Sequence, residues 1–94
     1  MICEAAVQVV NPEGFHARPA MLVSDAANMF GSQITLVQHG MEVNGKSLLA
    51  LMTLAAAQGA TFGVRCEGDD ATEALEALRE LFRSGFGEMD VPDA

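Results

Sequence analysis

Gly14-Phe15-His16-Ala17-Arg18-Pro19-Ala20 sets an imidazole and a guanidinium two residues apart at the start of a helix. Pro19 suits the first turn, because its fixed φ is helical and the N–H it lacks would have found no intrahelical partner. The helix is therefore expected to begin at Ala17 or Arg18, with His16 at its N-terminus. There the unpaired N–H groups and the positive end of the macrodipole favour a neutral imidazole and attract an anion. That suits a histidine that accepts a phosphoryl group, whose charge the helix N–H groups and Arg18 would bind. A lone histidine is more often structural or a helix cap. Here a proline-marked helix start, an arginine two residues on and a glycine-containing loop coincide.

Working outward, Cys3, Ala5, Val7 and Val9 alternate with Glu4, Ala6 and Gln8, the pattern of a strand with one buried face. Asn11-Pro12-Glu13-Gly14 breaks it. Ala20, Val23, Ala27 and Phe30 then recur every three or four residues, predicting a helix from Ala17 to Phe30 that stops at Gly31. Ser32 to Gln38 alternates again with Ile34 and Leu36 inward. His39-Gly40 is a candidate tight turn, and Met41 to Asn44 forms the returning strand. Ser47 is placed to N-cap a second helix running to about Leu54.

That second helix is apolar most of the way round. If Leu51 and Leu54 face the core, Leu49 and Met52 with part of Leu48 form an exposed apolar patch, which usually marks a partner site. The bland alternative is a helix buried on all sides. A chain of 94 residues has little interior to hide one.

Phe62, Val64 and Cys66 alternate with Gly63 and Arg65 in a fourth strand ending at Gly68. Asp70 with Glu73 three residues later reads as a capping box. Ala74, Leu75, Leu78, Leu81 and Phe82 give the apolar face of a third helix, with Arg79 and Arg83 in its last turns. Gly85 stops it, and Glu88 to Ala94 reads as a short acidic tail with no packing signal. The expected organisation is one domain over residues 1–88 and a tail over 89–94. The order strand, helix, strand, strand, helix, strand, helix predicts an α+β fold, a sheet with three helices on one face.

Composition narrows the function. Thirteen acids against five bases give a formal charge of −8, and the bases are only Arg18, Lys46, Arg65, Arg79 and Arg83, so no basic stripe exists for nucleic acid. The longest apolar run, Leu48 to Ala57 interrupted by Thr53, is too short for a membrane span, and no signal pattern opens the chain; a cytoplasmic location follows as the default. Cys3 and Cys66 are spaced for neither a zinc knuckle nor a redox pair and read as small buried strand residues. His39 has no acid or cysteine at metal-ligand spacing and reads as a turn residue. No nucleophile elbow, P-loop or dinucleotide fingerprint appears, so no independent enzyme with its own substrate pocket is expected.

The stretch from Gly14 to Ala20 closely resembles the HPr family, the histidine phosphocarriers of the bacterial phosphoenolpyruvate-dependent phosphotransferase system. A second stretch, Gly45-Lys46-Ser47-Leu48-Leu49-Ala50-Leu51-Met52, looks like that family's serine-site segment, and Glu67-Gly68-Asp69-Asp70 before an apolar helix matches as well. The resemblance implies an HPr-like open-faced β-sandwich, βαββαβα, with a four-stranded antiparallel sheet. It implies that phosphorylated enzyme I passes its phosphoryl group to Nδ1 of His16 and that an EIIA-type protein takes it onward, with no cofactor or metal on the carrier. Arg18 and the backbone N–H groups of Ala17 and Arg18 would hold the phosphoryl oxygens.

By the same resemblance, Ser47 is the position a dedicated HPr kinase/phosphorylase modifies in some members. A phosphate there would set charge beside the apolar patch and oppose docking of acidic partners. Phe15, Met21, Lys46, Leu48, Leu49 and Met52 match the family's docking surface, and a monomer is expected. Asp25, Asn28 and Ala50 stand where sugar-type members often carry lysines, which weakens steering toward acidic EIIA domains. Asn11, the run from His16 to Met21 and Leu81-Phe82-Arg83-Ser84-Gly85-Phe86 look more like the nitrogen-related branch, NPr. A sugar-uptake relay comes first with a nitrogen-type relay close behind, and the non-carrier rival is a serine-regulated protein-binding module. Such modules lack the histidine. A carboxylate at Glu13 would repel a phosphohistidine unless it points away.

Overall fold

The computed structural model describes residues 1–54 and 56–88. Among them the elements follow in the expected order: β1 (Ile2–Gln8), α1 (Ala17–Ala27), β2 (Gln33–Gln38), β3 (Met41–Asn44), α2 (Leu48–Leu51), β4 (Thr61–Glu67) and α3 (Ala71–Arg83). A single 3₁₀ turn, Gly85–Gly87, comes after α3. The strands pair antiparallel in the order β1-β4-β2-β3. Val7, Ile34, Leu36, Phe62, Val64 and Cys66 are buried at alternate positions, so one face of the sheet is covered. On that face α3 lies over β1 and β4, α1 packs on α3, and α2 packs on α1 and β3, leaving the sheet an open-faced sandwich. His39 at φ 51° and Gly40 at φ 80° form the expected β2–β3 turn, in which two successive positive φ angles match the strand twist.

Three local expectations were overturned, each by a side chain that captures backbone groups. α1 stops at Ala27 rather than Phe30, because the Asn28 amide donates to the Ser24 carbonyl at 2.8 Å and the Lys46 carbonyl at 3.1 Å. Met29 and Phe30 then bond back only three residues, closing the helix. α2 ends at Leu51 rather than Leu54. The Thr53 hydroxyl donates to the Ala50 carbonyl at 2.6 Å, and the Leu54 N–H turns to Leu51 instead. Ser47 does cap α2, its Oγ accepting the Ala50 N–H at 3.2 Å.

The capping box at α3 does not form. Asp70 occupies the N-cap position without a side-chain cap bond. Its carboxylate reaches across to accept the N–H groups of Gly31 and Ser32, both at 2.9 Å, and the Ser32 hydroxyl. The Ser32 hydroxyl and the Gly31 amide hold this carboxyl below the usual carboxylate range against the opposing effect of burial. The start of α3 is thereby tied to the turn between α1 and β2.

Cys3 and Cys66 lie opposite each other on β1 and β4 as free thiols, Cys66 buried and Cys3 half-buried. Burial pushes the Cys66 thiol up to about 11, with the Cys3 and Asp70 charges adding to it, which leaves a packing residue and not a nucleophile.

Candidate functional site

The loop before α1 is held from below by the segment that follows α2. Phe15 donates its N–H to the Ala56 carbonyl at 2.8 Å and forms an isolated bridge with that residue. Gly14 has φ 79°, and a Cβ there would fall 2.5 Å from the same carbonyl oxygen. Only glycine fits this approach. His16 therefore leaves the loop from a fixed backbone.

His16 is the N-cap of α1, extended at φ −113° and ψ −164°, and its side chain makes no cap bond. Its carbonyl accepts the Ala20 N–H at 3.0 Å. Pro19 has no N–H, and among the described residues the Ala17 and Arg18 amides have no acceptor. Two backbone donors thus stand open at the positive end of the helix beside the imidazole. Arg18 is exposed, and among the described residues its guanidinium makes no hydrogen bond or ion pair.

The histidine's own partner is Glu88. His16 Nε2 lies 3.0 Å from Oε1 and 2.9 Å from Oε2, with the two side chains 38% and 10% exposed. Asn11, fully buried, holds the carboxylate from behind: its Nδ2 donates to Glu88 Oε1 at 3.0 Å and to the Gly14 carbonyl at 2.7 Å. Burial pushes the Glu88 carboxyl up, but the bonds from His16 and Asn11 and the charges of His16 and Arg18 outweigh it, so the group stays below its ordinary range and ionised. Glu88, expected to begin an unpacked tail, is instead part of the site. The carboxylate against His16 is Glu88, while Glu13 is exposed in its loop. Residues 89–94, the rest of the expected tail, lie outside the described residues.

Phe15 is corrected as well. Expected on the docking surface, it is 6% exposed and sits among three other rings. It meets Phe62 edge-on at 5.1 Å, stacks on Phe82 at 6.1 Å and meets Phe86 edge-on at 6.0 Å. Phe86 is 2% exposed at φ 58° in the 3₁₀ turn, two residues before Glu88. The turn that carries Glu88 is thus anchored in the same aromatic cluster as the residue before His16.

The remaining docking candidates divide. Leu51 and Leu54 are buried, whereas Leu49 is 82%, Met52 53% and Met21 49% exposed, with Leu48 half-buried. The exposed apolar face inferred from the α2 pattern is present. Lys46 is half-buried and donates from Nζ to the Phe30 carbonyl at 2.7 Å, at the other end of α1 from His16. His39 stays in its turn. Among the described residues, no group of three or more His, Cys, Asp or Glu is arranged to hold a metal, and no helix is long and apolar enough to cross a membrane.

The family model "PTS HPr component phosphorylation site" matches residues 3–84. A phosphocarrier protein HPr of Treponema pallidum is 43% identical over 82 residues, 87% of this chain and 93% of that protein. A phosphocarrier protein NPr of Proteus mirabilis is 41% identical over 83 residues, 87% of this chain and 92% of that protein. The crystal structure of HPr-C-His from Thermoanaerobacter tengcongensis superposes with a TM-score of 0.88 at 40% identity, covering 94% of this chain and 99% of that one.

Proposed function

The chain belongs to the HPr family of phosphocarriers of the phosphotransferase system, and from that premise we propose that His16 receives the phosphoryl group on Nδ1 and releases it to a second protein. The observation that carries this reading is the pairing of Nε2 with Glu88 beside two open amides of α1, which leaves Nδ1 for the phosphorus. The Ala17 and Arg18 amides and the Arg18 guanidinium supply donors for its oxygens. The half-exposed ring suits a group handed from one protein to another and not a substrate turned over in a cavity, so the chain acts as a carrier without an activity of its own.

The donor on this reading is an enzyme I and the acceptor an EIIA-type protein. Asp25 and Asn28 are exposed, and the Lys46 ammonium is occupied by Phe30, so the docking side presents few cations. This favours a nitrogen-type relay over a sugar-uptake relay, whose steering depends more on positive charge. The carrier works as a monomer in the cytoplasm, residues 1–88 forming its domain and 89–94 an appended tail. Ser47 is a second candidate phosphorylation position. Its partly exposed hydroxyl already caps α2, and a phosphate would suit the same backbone amides while setting charge against Leu48, Leu49 and Met52.

The test is incubation with phosphoenolpyruvate and a cognate enzyme I, followed by intact-mass measurement. One acid-labile, base-stable phosphoryl group is the expected product, and absence of any label with an active enzyme I would refute the reading. An acid-stable phosphate from an HPr kinase and ATP, lost in Ser47→Ala, would mark the second position. Affinity capture with nitrogen-type and sugar-type EIIA proteins separates the two relays.

The docking face has its own expected result. Leu49→Asp removes an exposed side chain and costs the fold little, yet it sets a charge in the apolar centre of the contact. Phosphorylation by enzyme I should lose one to two orders of magnitude in kcat/KM, the range of an interface hot spot. Met41→Asp on β3, also exposed, should leave the rate near wild type. Equal rates for Leu49→Asp and wild type would remove α2 from the contact.

A further inference from the structure

We infer that Glu88 is a positioning residue for phosphoryl transfer, held in place by Asn11, and that it selects the His16 tautomer that can react. The inference rests on the reading of His16 as the phosphoryl acceptor. An ionised carboxylate accepts hydrogen bonds and donates none, so the ring nitrogen 2.9 and 3.0 Å from its oxygens carries the proton. A neutral imidazole protonated on Nε2 has its lone pair on Nδ1. Glu88 thereby keeps the nucleophilic atom free and fixes the plane of the ring.

Asn11 argues that this contact is built. Its amide spends both protons, one on the Gly14 carbonyl and one on Glu88, while among the described residues its buried Oδ1 has no partner. Flipping the amide would aim that oxygen at a carboxylate and a carbonyl, so the orientation is dictated by the Glu88 contact. Asn11 is also bonded to the residue that lies on the Ala56 backbone, which ties carboxylate, loop and imidazole into one frame.

During transfer the Nδ1 lone pair forms the new N–P bond, and the electron pair of the donor's bond to phosphorus stays with the donor. No proton leaves Nε2. The ring becomes a phosphorylated imidazolium whose positive charge faces Glu88 on the side away from the phosphoryl group. In the onward step the N–P electron pair returns to Nδ1, and because Nε2 keeps its proton the leaving group is a neutral imidazole instead of an imidazolate. The same carboxylate serves both directions.

The experiment compares full-length wild type with Glu88→Ala and Glu88→Gln by ¹⁵N NMR of the His16 ring and by the initial rate of phosphorylation from enzyme I. Wild type should show protonation on Nε2. Glu88→Ala should show a mixture of tautomers and a rate about tenfold lower, the loss expected for one hydrogen bond to a charged group. Glu88→Gln retains an acceptor oxygen and should recover the Nε2-protonated form, a signature that a purely structural role would not move. An unchanged tautomer in Glu88→Ala, a rate equal to or above wild type, or no recovery in Glu88→Gln would overturn the inference. Those outcomes are distinct from failure of the carrier reading itself, in which wild type would take no label at all.

Discussion

His16→Ala is expected to take up no phosphoryl group from enzyme I while remaining folded. The fold survives because the side chain caps nothing: α1 begins through the backbone of His16, whose carbonyl still accepts from Ala20, and through Pro19. The contact given up is the pair with Glu88, whose carboxylate keeps its Asn11 bond, so the loss is about 1–3 kcal/mol. The chemistry loses its acceptor, the imidazole that stands beside the open amides of α1. The other histidine, His39, sits exposed in the β2–β3 turn, so His39→Ala should label at the wild-type rate. Arg18→Ala should fall between the two, since it removes the guanidinium but leaves the two backbone donors and the Nε2 contact. Intact mass after a timed incubation reads all three variants. A label retained in His16→Ala and lost in His39→Ala would move the chemistry to the hairpin.

The parts of this arrangement that were legible in the sequence are those carried by period and by local backbone chemistry. Alternation located the strands, Pro19 marked the start of α1, Ser47 marked α2, and His39-Gly40 marked the hairpin. The exposure of Leu49 and Met52 followed from counting how many apolar residues a helix on a sheet is able to bury. What stayed hidden depends on contacts across the chain. Asp70 and Glu73 have capping-box spacing, but no spacing rule anticipates that the Asp70 carboxylate is better satisfied by two amides and a hydroxyl some forty residues earlier. Glu88 reads along the chain as the start of an acidic tail, while its partner is 72 positions away. A signal did exist: Phe86, apolar and bracketed by Gly85 and Gly87 just past the end of α3, is an expensive residue to leave in water. The burial of Phe15 is hidden for a related reason, since a motif match locates a residue along the chain and not the side of the backbone its ring occupies.

That bracketed phenylalanine carries the other large expectation. Phe86→Ala should destabilise the protein by about 3–5 kcal/mol, the range for deleting a buried aromatic ring, which is a large share of the roughly 5–15 kcal/mol that holds a domain together. The ring lies 4.8 Å from Phe82 and 6.0 Å from Phe15, and both would face the void it leaves. The shape of the turn depends on the same ring. Phe86 is held at φ 58°, a conformation disfavoured for any residue but glycine, and the burial of its ring is what stabilises it there. Alanine keeps the strain and loses the anchor, so the 3₁₀ turn should open and carry Glu88 away from Nε2. Urea unfolding should therefore show a lower midpoint, and the His16 ring should show mixed tautomers even under conditions where the variant remains folded. Phe86→Leu, which refills most of the volume, should restore much of the stability and the Nε2-protonated ring together. If Phe86→Ala lost stability but left the ring tautomer unchanged, Glu88 would be held by Asn11 alone. The aromatic cluster would then support the fold without supporting the site.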